Sequence, residues 1–158
     1  GAGRGVHKKF KDKNLYESLS AYGISLHRHN SEILQELMLH SNKKIRFTFT
    51  PHLTPMFRGI LSTIYIDLNK NINQNKIISA LRLYYKKRRF IKVAKKDTLL
   101  STNDVIGTNK CIISVCKSKY KEKIILLSVI DNLIKGGSGQ AVQNMNLRFG
   151  FNEREGIQ

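Results

Sequence analysis

The sequence predicts an α+β domain, and three observations predict it. Residues 60–68 read as a long strand, residues 111–116 and 124–130 read as two further strands, and residues 77–85 carry an apolar stripe at helical spacing. The order in which these strands and helices follow one another is that of an α+β chain. At 158 residues and 41% hydrophobic content the chain is one domain's length, with apolar material for a sizeable core, so disorder is not the starting point.

Taken in order, Gly1-Ala2-Gly3-Arg4-Gly5 is glycine-rich, and a basic, unpatterned segment runs from there through Lys13. Leu15, Tyr16, Leu19 and Tyr22 fall on one side of a short helix. Asn30 or Ser31 suits the cap of a helix whose inward face is Ile33, Leu34, Leu37 and Met38, which puts His27 and His29 at its start. Ile45, Phe47 and Phe49 alternate with Arg46, Thr48 and Thr50 as in a half-buried strand, and Pro51 and Pro55 then hold a loop. From Gly59 the long strand places Ile60, Ser62, Ile64, Ile66 and Leu68 on one face and Leu61, Thr63, Tyr65 and Asp67 on the other. Both faces are then largely covered, the pattern of a strand central to its sheet.

Residues 69–75 form an Asn-rich loop, and Ile77, Ile78, Leu81, Tyr84 and Tyr85 form the helical stripe. Lys86-Lys87-Arg88-Arg89 at its end complement the negative end of the helix dipole and read as a solvated terminus rather than a nucleic-acid patch. Residues 90–94 form a short strand and 97–110 a loop. Cys111 to Cys116 then pairs with residues 124–130 through the basic turn around Lys119. Gly136-Gly137-Ser138-Gly139 opens a last helix with Ala141, Val142, Met145 and Phe149 inward.

The formal net charge of +17 suits a polyanion, a phosphorylated metabolite or an acidic membrane, although heavy use of Lys, Ile and Asn throughout also explains it as compositional drift. The longest apolar run, around residues 124–130, is far short of the roughly 20 residues of a membrane-spanning helix, and the N-terminus has no signal-peptide core. Cys111 and Cys116 lie an odd offset apart in one strand, on opposite faces and about 17 Å apart, so they do not bond to each other. A reducing, cytoplasmic compartment is expected.

Three features carry chemistry. The glycine run 136–139 at a helix start would expose unpaired N–H groups to a phosphate or carboxamide. His27 and His29 sit near a positive dipole end that disfavours imidazolium, partly offset by Glu32, and their spacing without a third ligand argues against a metal site. The proline-framed loop from Thr50 to Gly59 presents His52 and Arg58, and an arginine there suits a carboxylate or phosphate.

The segments His27-Arg28-His29-x-x-Glu32-Ile33, Phe49-Thr50-Pro51-His52-Leu53-x-Pro55-Met56-x-Arg58-Gly59-Ile60-Leu61, Val105-x-Gly107-Thr108-Asn109 and Asp131-Asn132-Leu133-x-Lys135-Gly136-x-x-Gly139-Gln140-Ala141-Val142-Gln143-Asn144-Met145-Asn146-Leu147 together resemble the N-acetyl-gamma-glutamyl-phosphate reductase family. Gly1-Ala2-Gly3-Arg4 resembles that family's opening turn.

The resemblance implies the catalytic and dimerisation domain of a glyceraldehyde-3-phosphate-dehydrogenase-like fold, a mixed, mostly antiparallel sheet with helices on one face. Residues 1–130 would form the substrate-binding, catalytic and oligomerisation domain. Residues 131–158 would pack on an NADP-binding Rossmann domain, which, with its cysteine nucleophile, is expected upstream of Gly1. It implies reduction of N-acetylglutamyl 5-phosphate to N-acetylglutamate 5-semialdehyde with NADPH, in arginine biosynthesis, through a cysteine thioester.

By the same resemblance His27 and His29 are the catalytic histidines. The sequence does not separate their roles; His27 is taken as the acid/base and His29 as a substrate contact or helix-start residue. Arg4, Arg28 and Arg58 would bind the substrate's anionic groups with Tyr22 as a pocket wall, and Lys135, Gly136, Gly137 and Gln140 would face NADP. Cys111 and Cys116 are strand cysteines and not the nucleophile. Asn30-Ser31 departs from the family's usual Thr-Pro, which keeps capping ability but loosens the first turn. The implied partners are a small acyl phosphate, further copies of the chain in a homodimer or homotetramer, and the Rossmann domain, with neither membrane nor nucleic acid. The alternative is a non-catalytic basic oligomer that binds acidic metabolites or nucleic acid.

Overall fold

The structure is a computed structural model that describes residues 17–157. The chain divides into two compact units, one ending at Phe57 and one running on from Arg58.

In the first unit, β1 (Ser20–Ala21), α1 (His29–Leu39) and β2 (His52–Leu53) are the regular elements. β1 and β2 pair antiparallel, Ser20 with Leu53 and Ala21 with His52, and the Tyr22 N–H extends the pairing to the Pro51 carbonyl at 3.1 Å. This corrects two expectations. The helix read from Leu15, Tyr16, Leu19 and Tyr22 is replaced over its described part by an extended segment with Leu19 exposed, while residues 15 and 16 lie outside the described residues. Residues 45–49 form no strand. Alternation prepares a surface for pairing but supplies no partner, and β1 spends its two residues on His52–Leu53.

Helix α1 also begins earlier than its capping residues suggest. Arg28 holds the N-cap position in the αR region, and Ser31 Oγ donates to the Arg28 carbonyl at 2.9 Å instead of accepting a helix N–H. Of the expected inward face only Ile33 is half-buried, and Leu34, Leu37 and Met38 are exposed.

The second unit is built on a four-stranded sheet of β3 (Ile60–Asp67), β4 (Ile91–Val93), β5 (Cys111–Lys117) and β6 (Lys123–Ile130), in spatial order β3-β6-β5-β4. β3 runs antiparallel to β6 over eight pairs, β6 antiparallel to β5 over seven, and β5 parallel to β4 over three. The sheet is therefore mixed and mostly antiparallel. β3 is its edge and not its centre, and Ile60, Leu61, Ile64 and Tyr65 are exposed across both its faces.

Helix α2 (Gln74–Tyr85) is capped by Asn73, whose Oδ1 accepts from the Lys76 N–H at 3.0 Å, and its side chain Ile78 seals a core with Val115 and Ile124. The offset between Val115 and Ile112 puts the second core, Val105, Ile112 and Val129, on the opposite face, where the 97–110 loop covers it. That loop turns through a 3₁₀ segment, Thr102–Asp104, with a capping box on Ser101. The cysteines are free: Cys111 Sγ lies 3.5 Å from Ser128 Oγ, and Cys116 Sγ points to the Thr98 carbonyl.

After β6 the chain enters a π-helical turn, Ile134–Ser138, that runs straight into α3 (Gly139–Phe149). Gly150 ends α3 in the left-handed region, and the Phe151 N–H returns to the Asn146 carbonyl at 2.9 Å. The buried stripe of α3 is Gly139, Gln143 and Asn146, whereas of the residues expected inward Ala141, Met145 and Phe149 are exposed and Val142 is half-buried. No helix among the described residues is long and apolar enough to cross a membrane.

Candidate active site

Of the residues singled out from sequence, Tyr22, His27 and His29 come together in the first unit. The His27 ring meets Tyr22 at 5.5 Å, His29 at 4.7 Å and Phe49 at 5.5 Å between centroids, each edge to face. His27 lies just outside α1 and His29 is its first residue, so the His29 N–H is one of the donors a helix leaves unpaired. It donates to His27 Nδ1 at 3.2 Å.

With Arg28 at the N-cap position, the His27 imidazole takes up one of the helix-start donors that Asn30 or Ser31 was expected to cap. A ring nitrogen that accepts carries no proton, so neutral His27 keeps its proton on Nε2. Burial, then the neighbouring His29 and Arg28, hold the His27 pKa below the ordinary 6.5, with Glu32 opposing them. Glu32 sits 3.9 Å from His29 Nε2, and Arg28, whose charge acts on His27, is exposed. Arg4 lies outside the described residues.

Arg58 belongs to a different constellation, in the second unit. Its Nη1 donates to Asp131 Oδ2 at 3.0 Å, where the Gly107 N–H also donates at 2.9 Å, while Asp131 Oδ1 accepts from Leu133 N–H at 2.9 Å and Ile134 N–H at 3.2 Å. The carboxylate is fully buried. Burial alone would raise its pKa, but the donors from Gly107, Leu133, Arg58 and Ile134 outweigh it and hold the carboxyl below its usual range. Beside it, the Gly59 N–H donates to Asn132 Oδ1 at 2.6 Å. Gly59 has φ +108° with Thr102 packed where a Cβ would stand, so only glycine fits there. Sequence reasoning missed Asp131 as a hub because residues 58, 107 and 131 are far apart in the chain.

The glycine turn differs from expectation in its donors. The Gly136 N–H is bonded to the Asp131 carbonyl and the Ser138 N–H to the Leu133 carbonyl, the five-residue spacing of a π-turn, so these amides are not waiting for a phosphate. What the turn does offer is bare backbone: Gly136 and Gly137 are exposed, with nothing nearer than 3.5 Å to the place of a Cβ. Lys135 Nζ donates to Gln143 Oε1 at 2.8 Å and stands 5.8 Å from the centre of the Phe90 ring. Burial lowers the Lys135 pKa, with Cys111 and Glu153 opposing. Gln140 Nε2 donates to Asn144 Oδ1 at 2.8 Å, and Gln143 ties Asn109 to Glu153 at 2.9 and 2.8 Å. The turn thus leaves an open stretch of glycine backbone that a ligand can approach closely.

The second unit thus carries a mixed sheet with two cores and an apolar edge strand, and the first unit carries the histidine cluster. The chain matches the family described as semialdehyde dehydrogenase, dimerisation domain, over residues 1–132, and belongs to it.

Curated relatives are named more narrowly. Over 99% of this chain it is 42% identical to the N-acetyl-gamma-glutamyl-phosphate reductase of Staphylococcus saprophyticus, and over 97% it is 44% identical to the one from Desulforamulus reducens. The chain spans 46% and 44% of those two proteins, less than half of each. Among solved structures, aspartate semialdehyde dehydrogenase II from Vibrio cholerae aligns with a TM-score of 0.48 and 21% identity, over 63% of this chain and 30% of that one.

Proposed function

We propose that the chain is the catalytic and dimerisation portion of an N-acetyl-gamma-glutamyl-phosphate reductase, acting on N-acetylglutamyl 5-phosphate with NADPH in the cytoplasm. The observation that carries this reading is identity above 40% along nearly the whole chain with reductases of that name. NADPH, when bound, supplies the hydride; the chain's own residues bind, orient and manage protons.

His27 is the acid/base group. With its Nδ1 held by the His29 amide, it presents Nε2–H as a donor to the carbonyl oxygen on which charge develops. Accepting a proton on Nε2 requires the other tautomer and release of that amide, so proton uptake at His27 is coupled to the start of α1. His29 and Arg28, exposed beside it, contact the anionic substrate, with Tyr22 as the wall. Arg4 is a second anion contact. Arg58 acts through Asp131, fixing the loops at residues 59, 107 and 132. Lys135, Gly136, Gly137 and Gln140 face the nicotinamide end of NADP.

Oligomer formation runs through β3, the apolar edge of the sheet.

The test is an NADPH-linked assay in the phosphate-dependent oxidative direction with N-acetylglutamate semialdehyde. It is run on the chain alone and on the chain joined to the remaining half of the Desulforamulus reducens relative. Activity in the joined protein that falls by about 100-fold or more in His27→Ala supports the reading. A folded joined protein without activity overturns it.

A further inference from the structure

Two open grooves lie side by side on the second unit. One runs past Lys96, Lys117, Lys121, Lys123 and Tyr120 to Asn75; the other is lined by Asn75, Arg82, Lys95 and Lys96, so the two share Asn75 and Lys96 and form one track. Arg82 comes from α2, Lys95 and Lys96 from the segment after β4, and Lys117, Lys121 and Lys123 from the end of β5, the turn that follows and the start of β6. No local sequence motif announces them.

Local acids neutralise part of the track. Lys123 is ion-paired with Asp67, and Arg82 Nη2 is spent on the Ala94 carbonyl at 3.2 Å. Asp97, bonded to the Lys117 backbone N–H and to Gln74 Nε2, also faces the charges of Lys117 and Lys96 and offsets part of them. The ammonium groups of Lys95, Lys96, Lys117 and Lys121 have no hydrogen bond or ion pair among the described residues, and all four side chains are exposed. Tyr120, 57% exposed, stands at one end.

A site for a small anion encloses its ligand, whereas this track is open along its length and repeats its cations. A cation-lined groove with an exposed aromatic ring suits a single strand, whose phosphates follow the lysines while a base stacks on the ring. We propose that this track binds single-stranded RNA, independently of the reductase chemistry.

The test is fluorescence anisotropy of a labelled oligouridylate with the full chain across a salt series. Lys96→Gln with Lys121→Gln is compared with Lys86→Gln and Lys87→Gln, a control pair of equal net charge just past the end of α2 that lines neither groove. All four side chains are exposed, so matched melting curves are expected.

The track pair should weaken binding about tenfold and flatten the salt slope by roughly 0.7 for each phosphate no longer neutralised, while the control pair stays within about twofold. Tyr120→Ala should weaken it further. Equal losses in the two pairs would mean diffuse attraction to a +17 surface, and no binding at about 150 mM salt would leave nothing to localise; either overturns the proposal. Full affinity in Tyr120→Ala, with displacement by inorganic polyphosphate at equal phosphate, would show a site for phosphate chains without base recognition and would overturn the RNA assignment.

Discussion

His27 is both a helix cap and the proposed acid/base group, and the two duties pull on one proton. Its pKa is lowered in the folded chain, so the stability it lends is fully present above the ordinary value of 6.5 and is lost as pH falls through the folded value. Acidification below about pH 6.5 should therefore loosen the first turn of α1, seen as faster exchange of the His29 amide. In His29→Ala, which keeps the amide and removes the neighbouring ring, the NMR titration of His27 should move upward. A downward shift would show that His29 does not depress it. Asp131 has the same sign at lower pH: its lowered pKa makes its contribution present above 3.8 and lost as pH falls through the folded value. Arg58→Met should cost about 1–3 kcal/mol in denaturant unfolding, because it removes the one charged donor of a buried carboxylate that keeps its three backbone donors. The histidine pair was legible in the sequence from its place near a helix start. The Asp131 hub was not, since an aspartate after a strand gives no sign that residues 58 and 107 converge on it.

At the scale of elements, the polar stripe of α3 explains why its start must be glycine. A Cβ at Gly139 would stand 2.6 Å from Ile134 and hard against the Asn109 carboxamide, which is itself fully buried. Gly139→Ala should cost about 1–3 kcal/mol, and pairing it with Asn109→Ala should recover part of the loss, a coupling that a double-mutant cycle on thermal unfolding measures. Purely additive costs would show that the two residues do not press on each other. The β5–β6 hairpin, α2 and the span of β3 were readable because periodicity and turn chemistry are local. The π-turn, the polar inward face of α3 and the unpaired 45–49 segment were not, because each depends on which distant groups supply or refuse a partner.

At the scale of the whole molecule, the misplacement of β3 has the same origin: two apolar faces look like the centre of a sheet, and here they belong to an edge that awaits another surface. Leu61→Glu with Tyr65→Glu should shift sedimentation equilibrium toward monomer while leaving the melting of the monomer near that of the parent. Unchanged association would move the interface elsewhere. The ladder also fixes an order of assembly. β6 reaches β5 through the short turn at residues 118–122, but it reaches β3 only after everything between residues 67 and 123 has been drawn in. Loop closure slows the second event relative to the first. During that interval the growing sheet offers β6 bare to whichever β3 arrives first, its own or a neighbour's, so the yield of refolding should fall as the protein is made more concentrated.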